Sequence, residues 1–311
     1  MTGVTVPAPK TMRLKDGRVL AWYEFGDGNG VPCLYMPGTP ESGLAGGCYA
    51  QAALDAGVRL ISVDRPGYGH SDFAPGRSLR GWAGDVEQLA GHLGLQRYAV
   101  VGESGGGPHA VAVSHALAAS VTVTVLLAGM GPGNEPWVRK GMRPSNVVFY
   151  WLARYAPGLL RLPLLAMRYA LDLPRLNAWL ESQAPAADRR AAEDPEYRIR
   201  HQAVPDALRA GTAAAAQELA LFAKPWHFDL AELTGPVHLW HGSEDTNVPI
   251  AIARALAASL PGAITHFVPG AGHSVGFELR AEVMRTIAAA SPAPTTPDGL
   301  AHPDDQKEAG Q

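Results

Sequence analysis

Cysteine is almost missing from this chain of 311 residues, which has only Cys33 and Cys48. One disulfide between them is possible in principle, but two cysteines in a chain of this size carry little information, and the length is enough for a hydrophobic core to carry the fold. A strong excess of either charge is missing too: 26 Lys and Arg against 29 Asp and Glu leave a net −3, and nothing in that balance draws a nucleic acid. No leading stretch has the basic, apolar, small-residue order of a secretion signal, and the expectation that follows is a cytoplasmic protein with reduced thiols. No internal repeat is visible. One long stretch, Ser104 to Asn134, lacks Asp, Glu, Lys and Arg, yet Ser114, His115, Ser120, Thr122 and Thr124 interrupt it. Its second half, Val121–Leu127, is β-branched as a strand is, so we expect a buried helix feeding a buried strand and no membrane span.

Glycine and proline, by contrast, are plentiful at 35 and 26 residues, as suits a chain of many tight turns. Between those turns, short apolar runs alternate with segments of helical period. After a loose terminus over residues 1–10, Arg18–Phe25 and Val31–Met36 predict two strands joined through Gly26–Gly30 as a hairpin-like pair. Residues 49–56 predict a short helix and Val58–Val63 a buried strand. Leu79, Trp82, Val86, Leu89 and Leu93 share one helical face behind Ser78, a candidate N-cap. Strands at Tyr98–Val101 and 121–128 then enclose a helix beginning at Gly107. Strands apolar on both faces, alternating with helices, predict an α/β protein on a mostly parallel sheet.

The alternation stops near Gly129–Gly133. From 134 to 224 the pattern is helical, with prolines from Pro144 to Pro205 as punctuation and no convincing strand. Thirteen Lys and Arg against nine Asp and Glu give this stretch a net +4, while the rest of the chain carries −7. It reads as an inserted helical cap on a core made of residues 1–133 and 225–290. Its aromatic residues include Trp137, Trp151, Trp179 and Tyr197, and two or three aromatics of this set are expected to face the site. Strands resume at Val237–Trp240 and Ile264–Val268, and residues 291–311 have the composition of a disordered tail.

Chemistry enters at Gly102-Glu103-Ser104-Gly105-Gly106. A Ser between a β-branched strand and a helix, flanked by glycines that let backbones pass closely, has the form of a nucleophile elbow. Five residues with three fixed positions are a weak pattern by themselves; the strand before and the helix after give this one its weight. A Ser hydroxyl needs a base to take its proton, and a carboxylate to hold that base. Asp245 follows the strand 237–240 and His273 follows the strand 264–268, so a parallel sheet brings Ser104, Asp245 and His273 out on one rim. Glu244 is the alternative acid. His238 and His241 lie on opposite faces of a strand with no third partner, which disfavours a metal pair. Asp64 and Arg65 at a strand end are candidates for substrate contact but read first as turn-fixing or ion-paired groups, His109 is a candidate second base that reads first as a local packing residue, and Cys33 and Cys48 lack the His context of a thiol nucleophile.

Taken together and in order, Asp64-Arg65-Pro66-Gly67-Tyr68-Gly69-His70-Ser71, the elbow, His241-Gly242-Ser243-Glu244-Asp245 and Gly270-Ala271-Gly272-His273 resemble the α/β-hydrolase fold serine hydrolases, from about Arg18 to Ala290. The resemblance implies an α/β-hydrolase fold, with Ser104 as nucleophile, His273 as base and later acid, and Asp245 as the group that orients His273. It implies an oxyanion hole from the backbone N–H groups of Thr39 and Gly105, although Pro37–Gly38 stands where many relatives have His-Gly. Gly38, Trp137 and Trp151 are the expected pocket residues. A carboxylic ester with a mid-sized apolar part is the implied small-molecule substrate, with no cofactor or metal; thioester, lactone and C–C bond cleavage would use the same triad. A positive cap over an acidic core also admits an anionic substrate. Serine at 104 argues against Asp-nucleophile chemistry. The alternative of a different class is a non-hydrolytic cyclase, isomerase or ligand-binding protein on the same fold.

Overall fold

The computed structural model describes residues 7–142, 144–170, 173, 175, 182 and 185–291. Residues 1–6 of the expected loose terminus, Trp179, and residues 292–311 of the expected tail lie outside the described residues.

Eight strands form one sheet: β1 Lys10–Arg13, β2 Val19–Gly26, β3 Val31–Met36, β4 Val58–Asp64, β5 Tyr98–Glu103, β6 Val121–Leu127, β7 Val237–Gly242 and β8 Ile264–Val268. Their order across the sheet is β1-β2-β4-β3-β5-β6-β7-β8. β1 and β2 run antiparallel to their neighbours, and every pairing from β4 to β8 is parallel. The expected hairpin-like pairing of β2 with β3 is corrected here, because β4 lies between them. The turn at Gly26–Gly30 permits a hairpin locally, but β4 carries Leu60, Ile61 and Val63, all fully buried, and needs a strand on each side to cover it. The short helix α1 (Ala50–Asp55) makes the crossover that sets β4 parallel to β3.

Successive residues of the central strands go to opposite faces. Leu34 and Met36 of β3 and Val100 of β5 join one core with α2 (Leu79–His92), α3 (Gly107–Ala116) and the helix Ile250–Ser259. Cys33, Tyr35, Ala99 and Val101 join the other core with α1 and the helix Arg280–Ala290. The Ser78 hydroxyl caps α2 by accepting from the Gly81 N–H at 3.0 Å.

Between β6 and β7 the described residues are helical: α4 Pro144–Tyr155, α5 Arg161–Ala170, and the helices Ala186–Glu193, Arg200–Ala207 and Ala213–Phe222. Their own core is small and alanine-rich, with Ala153, Ala207 and Ala214–Ala216 around Leu160, Leu164 and Leu208. No helix among the described residues is long and apolar enough to cross a membrane.

Candidate active site

Parallel register aligns the carboxyl ends of the strands: Met36 stands opposite Gly102, Glu103 opposite Leu127, Leu127 opposite Trp240 and Gly242 opposite Val268. The loops that leave those ends hold Thr39, Ser104, Asp245 and His273. Ser104 sits at φ 51, in the left-handed region where a side chain is strained, and leads straight into α3. That sharp turn needs glycine on both sides. A Cβ on Gly102 would stand 2.5 Å from the Gly106 carbonyl oxygen, and one on Gly106 would stand 2.0 Å from that of Met36.

Ser104, His273 and Asp245 meet. His273 Nε2 lies 3.0 Å from Ser104 Oγ, and His273 Nδ1 lies 2.8 Å from Asp245 Oδ2. The second oxygen of Asp245 accepts the N–H groups of Asn247 and Val248 at 2.8 and 2.9 Å, which fixes the carboxylate and favours its charge. Burial opposes that charge, but His273 and these donors win and hold Asp245 below its usual range. An ionised carboxylate only accepts, so Nδ1 of His273 donates and its Nε2 faces the hydroxyl. Burial also opposes a charged His273; Asp245 outweighs it, with Asp188 and Glu103 adding to the effect, and pushes the ring up to about 9. Glu244 takes no part in this array: its N–H donates to the Ala271 carbonyl at 2.9 Å, joining the two loops. Gly242 allows that junction, since a Cβ there would meet the carbonyls of Ala271 and Gly272 at 2.3 Å.

Gly38, Thr39 and Gly105 also gather here. A Cβ on Gly105 would stand 2.2 Å from Thr39 Oγ1, and one on Gly38 would stand 3.7 Å from the Ser104 Cβ. The loop Pro37–Thr39 is braced by Arg65, whose guanidinium donates to the carbonyls of Pro37 and Gly38. Arg65 in turn pairs with Glu218 at 2.9 Å, and Glu218 also accepts from Thr39 Oγ1, Tyr68 and Arg77. Burial disfavours the Glu218 charge, yet Arg65, His109 and Arg77 together hold its pKa far below the usual range. His109 is pushed down to about 3 by burial with Arg65 and Arg77 close by, and its Nδ1 donates to the Gly105 carbonyl at 3.1 Å.

Behind the elbow, Glu103 accepts from the hydroxyls of Tyr35 and Tyr49 and from Arg200, which also pairs with Glu41 at 3.0 Å. Burial works against both carboxylates; Arg200 wins at Glu103 and lowers it, while burial prevails at Glu41 and raises it. The His273 loop is tied as well: the Ser274 N–H donates to Asp188 at 2.9 Å, and Tyr197 OH lies 2.9 Å from Ser274 Oγ.

Glu218, Arg200 and Asp188, all from the helices between β6 and β7, were not found by reading the sequence, since their partners lie 153, 97 and 86 residues away. Asp64 fixes its turn by accepting from the N–H groups of Gly43 and His70, and Arg65 is ion-paired, though with Glu218 and not its neighbour. His238 stacks on His266, and His241 meets the Val248 carbonyl.

The expected pocket residues Trp137 and Trp151 are corrected. Trp137 lines a cavity of about 480 Å³ with Pro132, Trp226 and Phe228, and none of Ser104, Asp245 and His273 borders it. Trp151 is 42 % exposed and stacks on Tyr155, because its face of α4 turns outward. The aromatic side chain that does reach the elbow is Phe222, whose ring carbon would lie 3.1 Å from a Cβ on Gly105.

Residues 34–286 match the model of the Alpha/beta hydrolase family. A non-heme chloroperoxidase from Streptomyces lividans is 26% identical over 254 residues, which span 80% of this chain and 87% of that protein. Among solved structures, an esterase from Exiguobacterium antarcticum superposes with a TM-score of 0.65 at 18% identity, covering 91% of this chain and 98% of that one. A bromoperoxidase from Bacillus anthracis gives 0.68 at 17% identity, covering 91% and 99%. At such identities the solved structures share the fold.

Proposed function

The chain belongs to the alpha/beta hydrolase family, and from that premise we propose that it cleaves a carboxylic ester or related acyl bond through an acyl-enzyme on Ser104. The observation that carries the reading is the array from Asp245 through His273 to a Ser104 held at φ 51, with contacts of 2.8 and 3.0 Å. Neutral His273 takes the Ser104 proton as Oγ attacks the carbonyl carbon. Asp245 stabilises the imidazolium that forms, and the imidazolium then protonates the departing alcohol. The tetrahedral oxyanion accepts from the N–H groups of Thr39 and Gly105, each worth on the order of 3 kcal/mol of barrier. Water attacks the acyl-enzyme by the same steps in reverse. In this reading the helical stretch 134–224 is a cap, and it shapes the acyl pocket with Phe222 instead of Trp137 or Trp151.

The test is the intact mass after exposure to a fluorophosphonate. One adduct on the wild type and none on Ser104→Ala supports an activated serine; adducts on neither protein sink the proposal and move the weight to a non-hydrolytic role.

The name of the Streptomyces lividans relative favours a second reading. Hydrogen peroxide in place of water would attack the same acyl-enzyme, releasing a peracid and free Ser104, and the peracid would oxidise chloride to hypochlorous acid while becoming the carboxylic acid. Halide oxidation that needs both peroxide and a carboxylic acid, and that fails in Ser104→Ala, would separate this reading from simple hydrolysis.

A further inference from the structure

Large apolar side chains exposed by 40 % or more number thirteen among the described residues, and ten of them lie between Val148 and Leu173. They follow a helical period. On α4, Val148, Trp151 and Tyr155 stand three and four residues apart and are 57, 42 and 71 % exposed; on α5, Leu162, Leu165 and Tyr169 repeat the spacing at 70, 40 and 57 %. Such stripes ordinarily face a core. Here the inward contacts are made by Ala153, Leu160 and Leu164 against Ala214–Ala216, so the stripes point away from the protein. Both helices rest on the same helix, Ala213–Phe222, and on the turn Pro157–Leu160 that joins them.

Charge on this stretch is one-sided. From 136 to 171 there are six Lys and Arg and no Asp or Glu, whereas 172–224 has seven basic and eight acidic residues. The basic groups stay level with the exposed rings. The Arg139 guanidinium lies 5.2 and 5.4 Å from the Tyr150 and Trp151 ring centres, Arg154 lies 5.6 Å from Tyr155, and Arg168 lies 5.6 Å from Tyr169.

We propose that the α4–α5 face docks on an anionic lipid surface. The helices would lie in the plane of the interface, with Tyr155, Leu162, Leu165 and Tyr169 at the acyl boundary and the Arg and Lys groups on headgroup phosphates. A second copy of the chain fits this face poorly, since a symmetric contact would press one basic stretch, with no acidic residue from 136 to 171, against another like it. The inference stands apart from the reaction proposed above and does not depend on it.

The test is co-sedimentation of the full chain with vesicles of phosphatidylcholine, with and without phosphatidylglycerol, at low and high salt. The expected result is binding to the anionic vesicles alone, weakened by salt. The pair Leu162→Glu and Leu165→Glu should abolish it, and Lys140→Glu with Arg161→Glu should lower the partition coefficient by at least about fivefold per charge removed. Circular dichroism and the melting temperature should match the wild type in both variants, because the substituted groups are exposed. Equal binding to neutral vesicles, binding to neither, unchanged binding in both variants, or a dimer in light scattering that the leucine variant breaks would each overturn the proposal.

Discussion

The sheet rim and the helices between β6 and β7 hold together by different physics. The rim is backed by side chains buried on both faces of the sheet, such as Leu34, Tyr35, Val100 and Val101, all without exposed area. The helical stretch packs mostly on alanine and leaves its largest apolar groups outside. A few of its residues, Ala191, Ile199 and Ala203, join one core of the sheet, and its other holds are directional: Glu218 on Arg65 and Arg77, Arg200 on Glu103 and Glu41, Asp188 on the Ser274 N–H. Area burial tolerates small shifts, whereas a buried ion pair specifies a position. Each of these three anchors grips a loop that carries a proposed catalytic group, so the helices set the geometry of the rim even where they add little burial.

The first way to separate the two regions is to remove chemistry from the rim without touching its support. Ser104→Ala should lower kcat for a cleavable ester by on the order of 10⁶-fold, as loss of a triad nucleophile does. The melting temperature should hold, since the hydroxyl makes no packing contact that the methyl lacks. A variant that keeps even a tenth of the activity would mean another nucleophile.

The second removes an anchor. Arg200→Met leaves the carboxylates of Glu103 and Glu41 buried without their cation, and should cost about 3–5 kcal/mol in urea unfolding. Activity should fall as well, because Glu103 precedes Ser104, the proposed nucleophile. Adding Glu103→Gln, which keeps partners for Tyr35 and Tyr49, should restore part of the loss. If Arg200→Met unfolds like the wild type, the anchors are ornaments and the comparison fails.

Sequence alone reached most of the rim and little of what holds it. Ser104, Asp245 and His273 were legible because each follows an apolar strand, and a parallel sheet sends all such strand ends to one edge. The anchors were not, because Glu218 and Arg200 sit in helical stretches where a charged residue looks like any solvated one. The order of the strands also escaped: Gly26–Gly30 is turn chemistry, and nothing local says that β4 will enter between β2 and β3. Trp151 misled for a different reason. It was expected at the site only as one of the aromatic residues of the stretch 134–224, and composition does not say which way a residue of α4 faces; this one turns outward.

A third test uses pH to read the coupling of rim and helices at His273. With the ring pushed up to about 9, the neutral form that can take a proton grows tenfold per unit until that value, so kcat/KM should climb to about pH 9 and then level. Stability moves the other way. The raised pKa contributes about 3 kcal/mol that is fully present below the unfolded value of about 6.5 and is lost as pH rises through about 9. Asp188→Asn removes one of the charges that raise the ring and should shift the activity limb to lower pH. An unmoved limb would assign the shift to Asp245 and Glu103.

The smallest effect is the most discriminating between the two modes of construction. Leu34→Ala empties a site with no exposed area at the centre of the sheet and should cost about 2–5 kcal/mol. Leu162→Gln replaces a leucine of the same size that is 70 % exposed, and should change the free energy of unfolding by no more than about 0.5 kcal/mol in either direction. Urea titrations of both variants at one temperature give the contrast directly. A Leu162→Gln loss approaching that of Leu34→Ala would show that the outward stripe of α5 is buried in solution by some part of this chain or by a second copy, and the helices would then rest on apolar area as the rim does.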